Sequence, residues 1–208
     1  MDEEVTDHQI AALFEEVALL RLSSKSHWDV PVRIDDTVVR ILASHPTPPV
    51  FDGPEDANGR RNHDEIRFWA DYLTGGPAAG YIRDDRGRAG GLPAKTHFII
   101  AGDLNADPVK DPKTYGYAPI DLLLKHPRVL DPAPESKGAA AHDAPYPGNK
   151  ATRTCHFGRI DYALPSKTLR VQGTGVFWPA PTDPLSALVK DREASSDHRL
   201  VWLDMIVP

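Results

Sequence analysis

The sequence holds a single cysteine, Cys155, which excludes an intrachain disulfide and any cysteine-rich zinc site. No stretch approaches the ~18 apolar residues that a membrane-spanning helix needs. The opening residues, MDEEVTDHQ, are acidic and polar, the reverse of the basic start and apolar run of an export signal. The expectation is therefore a soluble chain without a leader or membrane span, cytoplasmic by default. Basic charge is not in excess either: 24 Lys and Arg stand against 30 Asp and Glu, a formal net charge of −6. Binding to nucleic acid without regard to sequence draws most of its affinity from phosphate neutralisation, so this balance disfavours a long polynucleotide as partner. Arg83, Arg86 and Arg88 are interrupted by Asp84 and Asp85, and Arg60 and Arg61 stand nearly alone; both groups read as solvated loop charges.

What is present suits one domain over residues 1–208, with 40% hydrophobic and 26% charged residues. Twenty prolines argue against a helical bundle and for short strands between long loops. Ile10, Leu13, Phe14 and Val17 predict a helix over His8–Val17, and Ile66, Trp69, Ala70 and Leu73 another over His63–Leu73. Strands are expected over residues 18–22, 37–44, 97–101, 160–164, 169–177 and 200–206, with a short helix over 120–124. The Gly/Pro-rich stretch after Leu73 is expected to be a functional or mobile loop, and 131–149 to be irregular. Polar clusters sit at the ends of several strands, where loops on a rigid frame can converge on one pocket.

In Gly102-Asp103-Leu104-Asn105 the glycine lets the strand end turn, and alternation puts Asp103 and Asn105 on one face. A carboxylate there can orient or deprotonate a water and an amide can hold a phosphoryl oxygen; an Asx turn closing the strand is the structural alternative. Ser195-Ser196-Asp197-His198 offers a charge-stabilising or basic histidine beside an aspartate that can hold metal or fix a tautomer, or else a plain polar turn. Arg159 and Asp161 share a face of one strand, which suits either a site or a buried ion pair. His45 leaves the sheet at a strand end, and Lys25 and His27 can bring positive charge to a phosphate, although surface and structural roles are open to all three. His63, Asp64 and Glu65 are adjacent on a helix and do not face one another, so Asp64 and Glu65 more simply serve its N-terminal end. Cys155 and His156 are adjacent too, which opposes a nucleophile–base pair.

As a set, GDLN at 102–105, RIDY at 159–162 and SSDH at 195–198, in this order and with His45 ending a strand, resemble the endonuclease/exonuclease/phosphatase superfamily. The phrases LSSKSHWDVPV and SSDHRLVWLD are similar to a bacterial subgroup of it, and the likeness runs from about Leu20 to the C-terminus. The resemblance implies an α+β fold: a two-sheet β-sandwich flanked by helices, four layers in the order α/β/β/α. Only about 20 residues precede LSSK, where the family places two strands, so the fold is expected to be N-terminally incomplete. It further implies that Asp103 helps activate the attacking water, that Asn105 orients water or a phosphoryl oxygen, and that Asp161 supports the phosphate and metal environment. Asp197 would lie at the metal, His198 would be the base or phosphate-stabilising group, and His45 would stabilise phosphate or the leaving group. Glu16 is a stand-in for the family's metal-binding glutamate, and His156 occupies a place where an acidic residue is expected.

The implied reaction is hydrolysis of a phosphate ester by in-line attack of water, with Mg²⁺ or Mn²⁺, hard cations suited to oxygen donors. The expected partner is a small phosphate ester rather than nucleic acid. A homodimer in which one chain covers the other's open sheet edge is also expected. A catalytically weak module that binds phosphate ligands or a protein, and a nuclease or other ester hydrolase, are the alternative readings.

Overall fold

A computed structural model describes residues 21–110 and 115–208. The expected helix over His8–Val17, the candidate metal ligand Glu16 and most of the strand expected over 18–22 lie outside the described residues; Arg21 and Leu22 are not in a strand.

Strands β1 (His27–Ile34) and β2 (Thr37–Ser44) form an antiparallel hairpin in which Ile34 opposes Thr37. The turn is Asp35-Asp36, with Asp35 in the left-handed region at φ 50°, which aspartate enters more readily than most residues. Strand β1 is not among the expected strands, because Pro31 interrupts its alternation. Proline is tolerated there because β1 is the sheet's edge, where a missing N–H costs no ladder bond.

Strand β2 runs parallel to β3 (His97–Asp103), a pairing that requires a crossover. Helix α1 (Ala57–Thr74) lies within that connection. It begins at Ala57 rather than His63, so Asp64 and Glu65 lie in mid-helix and not at its N-terminal end as expected. The early turns are polar, which disguised them as loop. Ile66, Trp69, Ala70 and Leu73 form its buried stripe. They join a core that includes Leu42, Ile100 and Leu164, three residues aligned across β2, β3 and β4 by the register. Each such side chain, fully buried, contributes about 1.5–3 kcal/mol. Trp69 Nε1 donates to Ser44 Oγ at 2.8 Å, which satisfies the one polar atom the indole carries inward.

Strand β3 does not break at Gly102 but continues through Asp103. Gly102 has φ 151°, and a Cβ placed there would meet the Ser44 carbonyl oxygen at 2.0 Å, so the residue is required for the close approach of β2. Strand β4 (Asp161–Pro165) pairs antiparallel with β3 and sets Asp161 directly opposite Asp103. The four strands therefore form one mixed sheet in the order β1-β2-β3-β4.

Two short helices precede β4: α2 (Asp121–Leu124), close to its expected place, and α3 (Lys137–Ala141), inside a segment expected to be irregular. Ser136 caps α3 by accepting from the Ala139 N–H. Strands β5 (Arg170–Val176) and β6 (Val201–Ile206) form a second, two-stranded antiparallel sheet. Strand β6 packs against β4, and a backbone bridge joins His198 to Cys155 just before β6 begins. The architecture is α+β, two sheets with helices. Among the described residues no helix is long and apolar enough to cross a membrane.

Candidate active site

Asp103 ends β3 and Asp161 begins β4, and the antiparallel register alone brings them face to face at one end of the four-stranded sheet. His198 reaches them from the segment leading into β6. Its Nδ1 lies 2.9 and 3.0 Å from the two Asp161 oxygens and 3.9 Å from Asp103 Oδ2. His45, at the end of β2, places Nε2 3.4 Å from the same Asp103 oxygen. Four of the expected residues, from four separate segments, thus meet at one point.

Asn105 belongs to the site in another way than alternation suggested. It sits in the left-handed region at φ 50°, and its backbone N–H donates to Asp103 Oδ1 at 2.9 Å. The Asx turn and the candidate aspartate are therefore one feature: the turn holds one carboxyl oxygen and leaves the other to face the histidines. The Asn105 side chain donates to the Pro46 carbonyl at 3.1 Å, tying the exit of β3 to the exit of β2. Lys25 lies alongside, its Nζ donating to the His45 carbonyl at 3.1 Å.

Thr154 was not foreseen. Its hydroxyl donates to Asp161 Oδ2 at 2.6 Å and accepts from the Ile160 and Asp161 N–H groups at 3.1 Å each. Asp161 is held on one side by Thr154 and on the other by His198. Burial raises the Asp161 pKa, against the lowering effect of those two hydrogen bonds. For His198 burial works against the charged ring, yet the hydrogen bond and charge of Asp161, with Asp103 and Asp197 adding, raise its pKa above 6.5. The sequence signal nearest to Thr154 is His156, two residues on, where the resemblance implies an acidic residue.

The remaining candidates lie elsewhere. Asp197 pairs with Arg192 at 2.9 Å rather than joining the cluster. Arg159 is buried and gives both terminal nitrogens to Asp131, at 2.5 and 2.9 Å, with its guanidinium over the Tyr162 ring. This is the structural ion pair considered for that strand, with Asp131 as partner instead of Asp161. His27 packs its ring on Phe68 and Trp69 and bonds the Glu65 carbonyl at 2.8 Å; burial, outweighing that bond and the Glu65 charge, lowers its pKa. It lines a cavity of about 740 Å³ beside β1, whose floor is already paired: Arg40 and Tyr72 both bond Asp29. His156 is exposed, with its ring edge on Phe157. Cys155 is buried, and burial pushes its thiol up to about 12, which removes it as a nucleophile.

Among the described residues, Asp103, Asp161 and His198 form a group able to share a metal ion, with donor atoms within 4.8 Å of one another. Two carboxyl groups, one of them half freed by an Asx turn, are the oxygen donors that a hard divalent cation prefers, so the residues present fit such an ion.

A family model described as the endonuclease/exonuclease/phosphatase family matches residues 17–198. Among solved structures the chain is similar to an endonuclease/exonuclease/phosphatase from Beutenbergia cavernae DSM 12333, with 18% identity and a TM-score of 0.51 over 85% of this chain. It is also similar to beta toxin from Staphylococcus aureus, with 14% identity and a TM-score of 0.45 over 88% of this chain. A third similar structure is sphingomyelinase C from Streptomyces griseocarneus, with 13% identity and a TM-score of 0.41 over 86% of this chain. The chain spans 38%, 57% and 53% of the length of these three proteins respectively. No match was found among curated protein sequences.

Proposed function

The chain belongs to the endonuclease/exonuclease/phosphatase family, and on that premise we propose that it hydrolyses a small phosphate ester, a monoester or diester, by in-line attack of water with the help of Mg²⁺ or Mn²⁺. The observation that carries this reading is the convergence of Asp103, Asp161, His198 and His45 within hydrogen-bonding or near-contact distances. A cation bound at the Asp103, Asp161 and His198 group would neutralise charge on the phosphoryl oxygens.

The chain's own groups divide the remaining work. Asp103, one oxygen fixed by the Asn105 N–H, directs the other toward the attacking water and accepts its proton. His198, oriented through Nδ1 by Asp161, has no protein hydrogen bond at Nε2 among the described residues and offers that atom to a phosphoryl oxygen. His45 lies on the other side of Asp103 and is half exposed, a position from which it can meet the leaving group. Lys25 beside it adds positive charge at the rim. A small substrate is favoured because the formal net charge is −6 and Arg88 is paired with Asp84 within its own loop; Arg60 and Arg61, expected as loop charges, lie instead on the polar early turns of α1.

The test compares bis-p-nitrophenyl phosphate, p-nitrophenyl phosphate, plasmid DNA and a carboxyl ester, each with Mg²⁺, Mn²⁺ or EDTA. Phosphate-ester cleavage abolished by EDTA, and reduced roughly 10²-fold or more in Asp103→Ala and His198→Ala, is the expected result. Activity confined to the carboxyl ester and indifferent to EDTA would refute the proposal.

A further inference from the structure

Two polar residues of α1 are completely buried, although neither belongs to the cluster around Asp103. Asn62 and Glu65 are 0% exposed and stand three residues apart, hence on one face of the helix. Burying such groups in a core is costly unless they are bonded, and their partners are all backbone atoms of loops. Glu65 accepts from the Ser24 N–H through one oxygen and from the Thr47 N–H through the other, both at 2.5 Å. Asn62 Nδ2 reaches the carbonyls of Thr47, Leu104 and Asn105 at 2.8, 3.0 and 3.3 Å, its two hydrogens shared among the three acceptors, and its buried Oδ1 has no partner among the described residues.

Thr47 is thus gripped at its N–H by Glu65 and at its carbonyl by Asn62. Ser24 precedes Lys25, Thr47 follows His45 by two residues, and Leu104 and Asn105 follow Asp103. Three loops that meet nowhere in sequence are pinned to one turn of one helix, and each carries a residue assigned above to the site. Burial of a helix stripe does not require this: Ile66, Trp69 and Leu73 already anchor α1 to the sheet.

We propose that Glu65 and Asn62 are positioning residues that set the separation of His45 and Lys25 from Asp103. The inference rests on the hydrolytic reading of that site and extends it to residues that touch neither substrate nor cation. Glutamine at 65 can accept only one of the two N–H bonds, because its amide nitrogen is a donor, and so releases one loop. Alanine releases both. A displacement of about 1 Å in a reacting group can cost about 10²-fold in rate. The effect should therefore fall on kcat rather than KM.

The experiment has two arms on the full chain. Amide hydrogen exchange of Ser24 and Thr47 is compared in the wild type, Glu65→Gln and Asn62→Ala, with the amides of α1 as the folding control. Loss of protection at one or both of Ser24 and Thr47 in Glu65→Gln, with α1 unchanged, is expected; unchanged protection at both overturns the clamp. Steady-state kinetics on the best phosphate ester should then show kcat reduced roughly 10- to 100-fold in Glu65→Gln, with KM nearly constant. Lost protection with unchanged kcat would make the clamp merely structural and overturn the proposal. Should Glu65→Ala fail to fold, Glu65→Gln still decides. Absence of hydrolysis in the wild type would refute the hydrolytic reading and, with it, the positioning role, while the exchange arm would still report whether the clamp itself exists.

Discussion

Arg153 and Arg159 are both buried arginines, and their partners predict different consequences of losing them. Arg153 pairs with no carboxylate among the described residues. It donates to five carbonyls, those of Lys150, Ala144, His156, Ala139 and His142, and so knots together the loop that carries Thr154. A lysine has three donors and no planar fork, so Arg153→Lys leaves carbonyls unsatisfied at about 1–3 kcal/mol for each one orphaned. A fall in Tm of several degrees in thermal unfolding is the expected outcome. Arg159 instead pairs with Asp131. Burial alone would raise the Asp131 pKa, but the hydrogen bonds and charge of Arg159 hold it below 3.8. A carboxylate depressed in the folded state stabilises fully above its unfolded value, here near 3.8, and that stability drains away as pH falls through the lower folded value. Urea unfolding between pH 2 and 7 should accordingly show Asp131→Ala less stable than wild type at neutral pH, on the order of 3 kcal/mol. The two proteins should converge at the acid end.

At the scale of elements, the geometry of the candidate site follows from strand register. Asp103 and Asp161 meet because β3 and β4 pair in antiparallel register, and His45 joins them because β2 ends alongside β3. Gly102 is what permits that last approach. Gly102→Ala would drive a Cβ into the Ser44 carbonyl and impose a backbone conformation that side chains rarely adopt. The expected result is destabilisation well beyond about 1–3 kcal/mol, seen as loss of soluble protein or of cooperative unfolding. The sheet's chemistry was legible because its residues are marked locally: GDLN, SSDH and a histidine closing an apolar strand carry their signal within a few positions. Strand β1 was not, since Pro31 masks the alternation of Trp28, Val30, Val32 and Ile34. The start of α1 was missed for a related reason: its first turns are polar and its buried face includes Asn62 and Glu65, which no apolar pattern reveals. Glu65 owes its role to partners far away in the chain, such as Ser24, 41 residues from it, which local reading does not reach, whereas Thr154 acts within a turn on Asp161, seven residues on, in a segment without regular periodicity.

Over the whole molecule the main unanswered surface is the outer face of β1. Trp28, Val30, Val32 and Ile34 alternate onto one side of the edge strand and are all exposed, Trp28 by 61%. A row of four apolar side chains on an edge strand favours association, although Pro31 blunts pairing along the edge itself. Sedimentation velocity should show self-association that Val30→Lys with Val32→Lys weakens; a wild type that stays monomeric at every concentration would count against it. The proposed hydrolysis would require something stricter, that groups from the exit of β2, from β3 and β4, and from the approach to β6 act as one unit. Residues that act together lose activity non-additively, whereas independent contributions multiply. The most direct measurement is kcat/KM for phosphate-ester cleavage in a cycle of wild type, Asp103→Asn, His198→Ala and the double variant. The double variant should be little worse than the poorer single one. A double variant whose loss equals the product of the two single losses, or a wild type that cleaves no phosphate ester, would contradict the account.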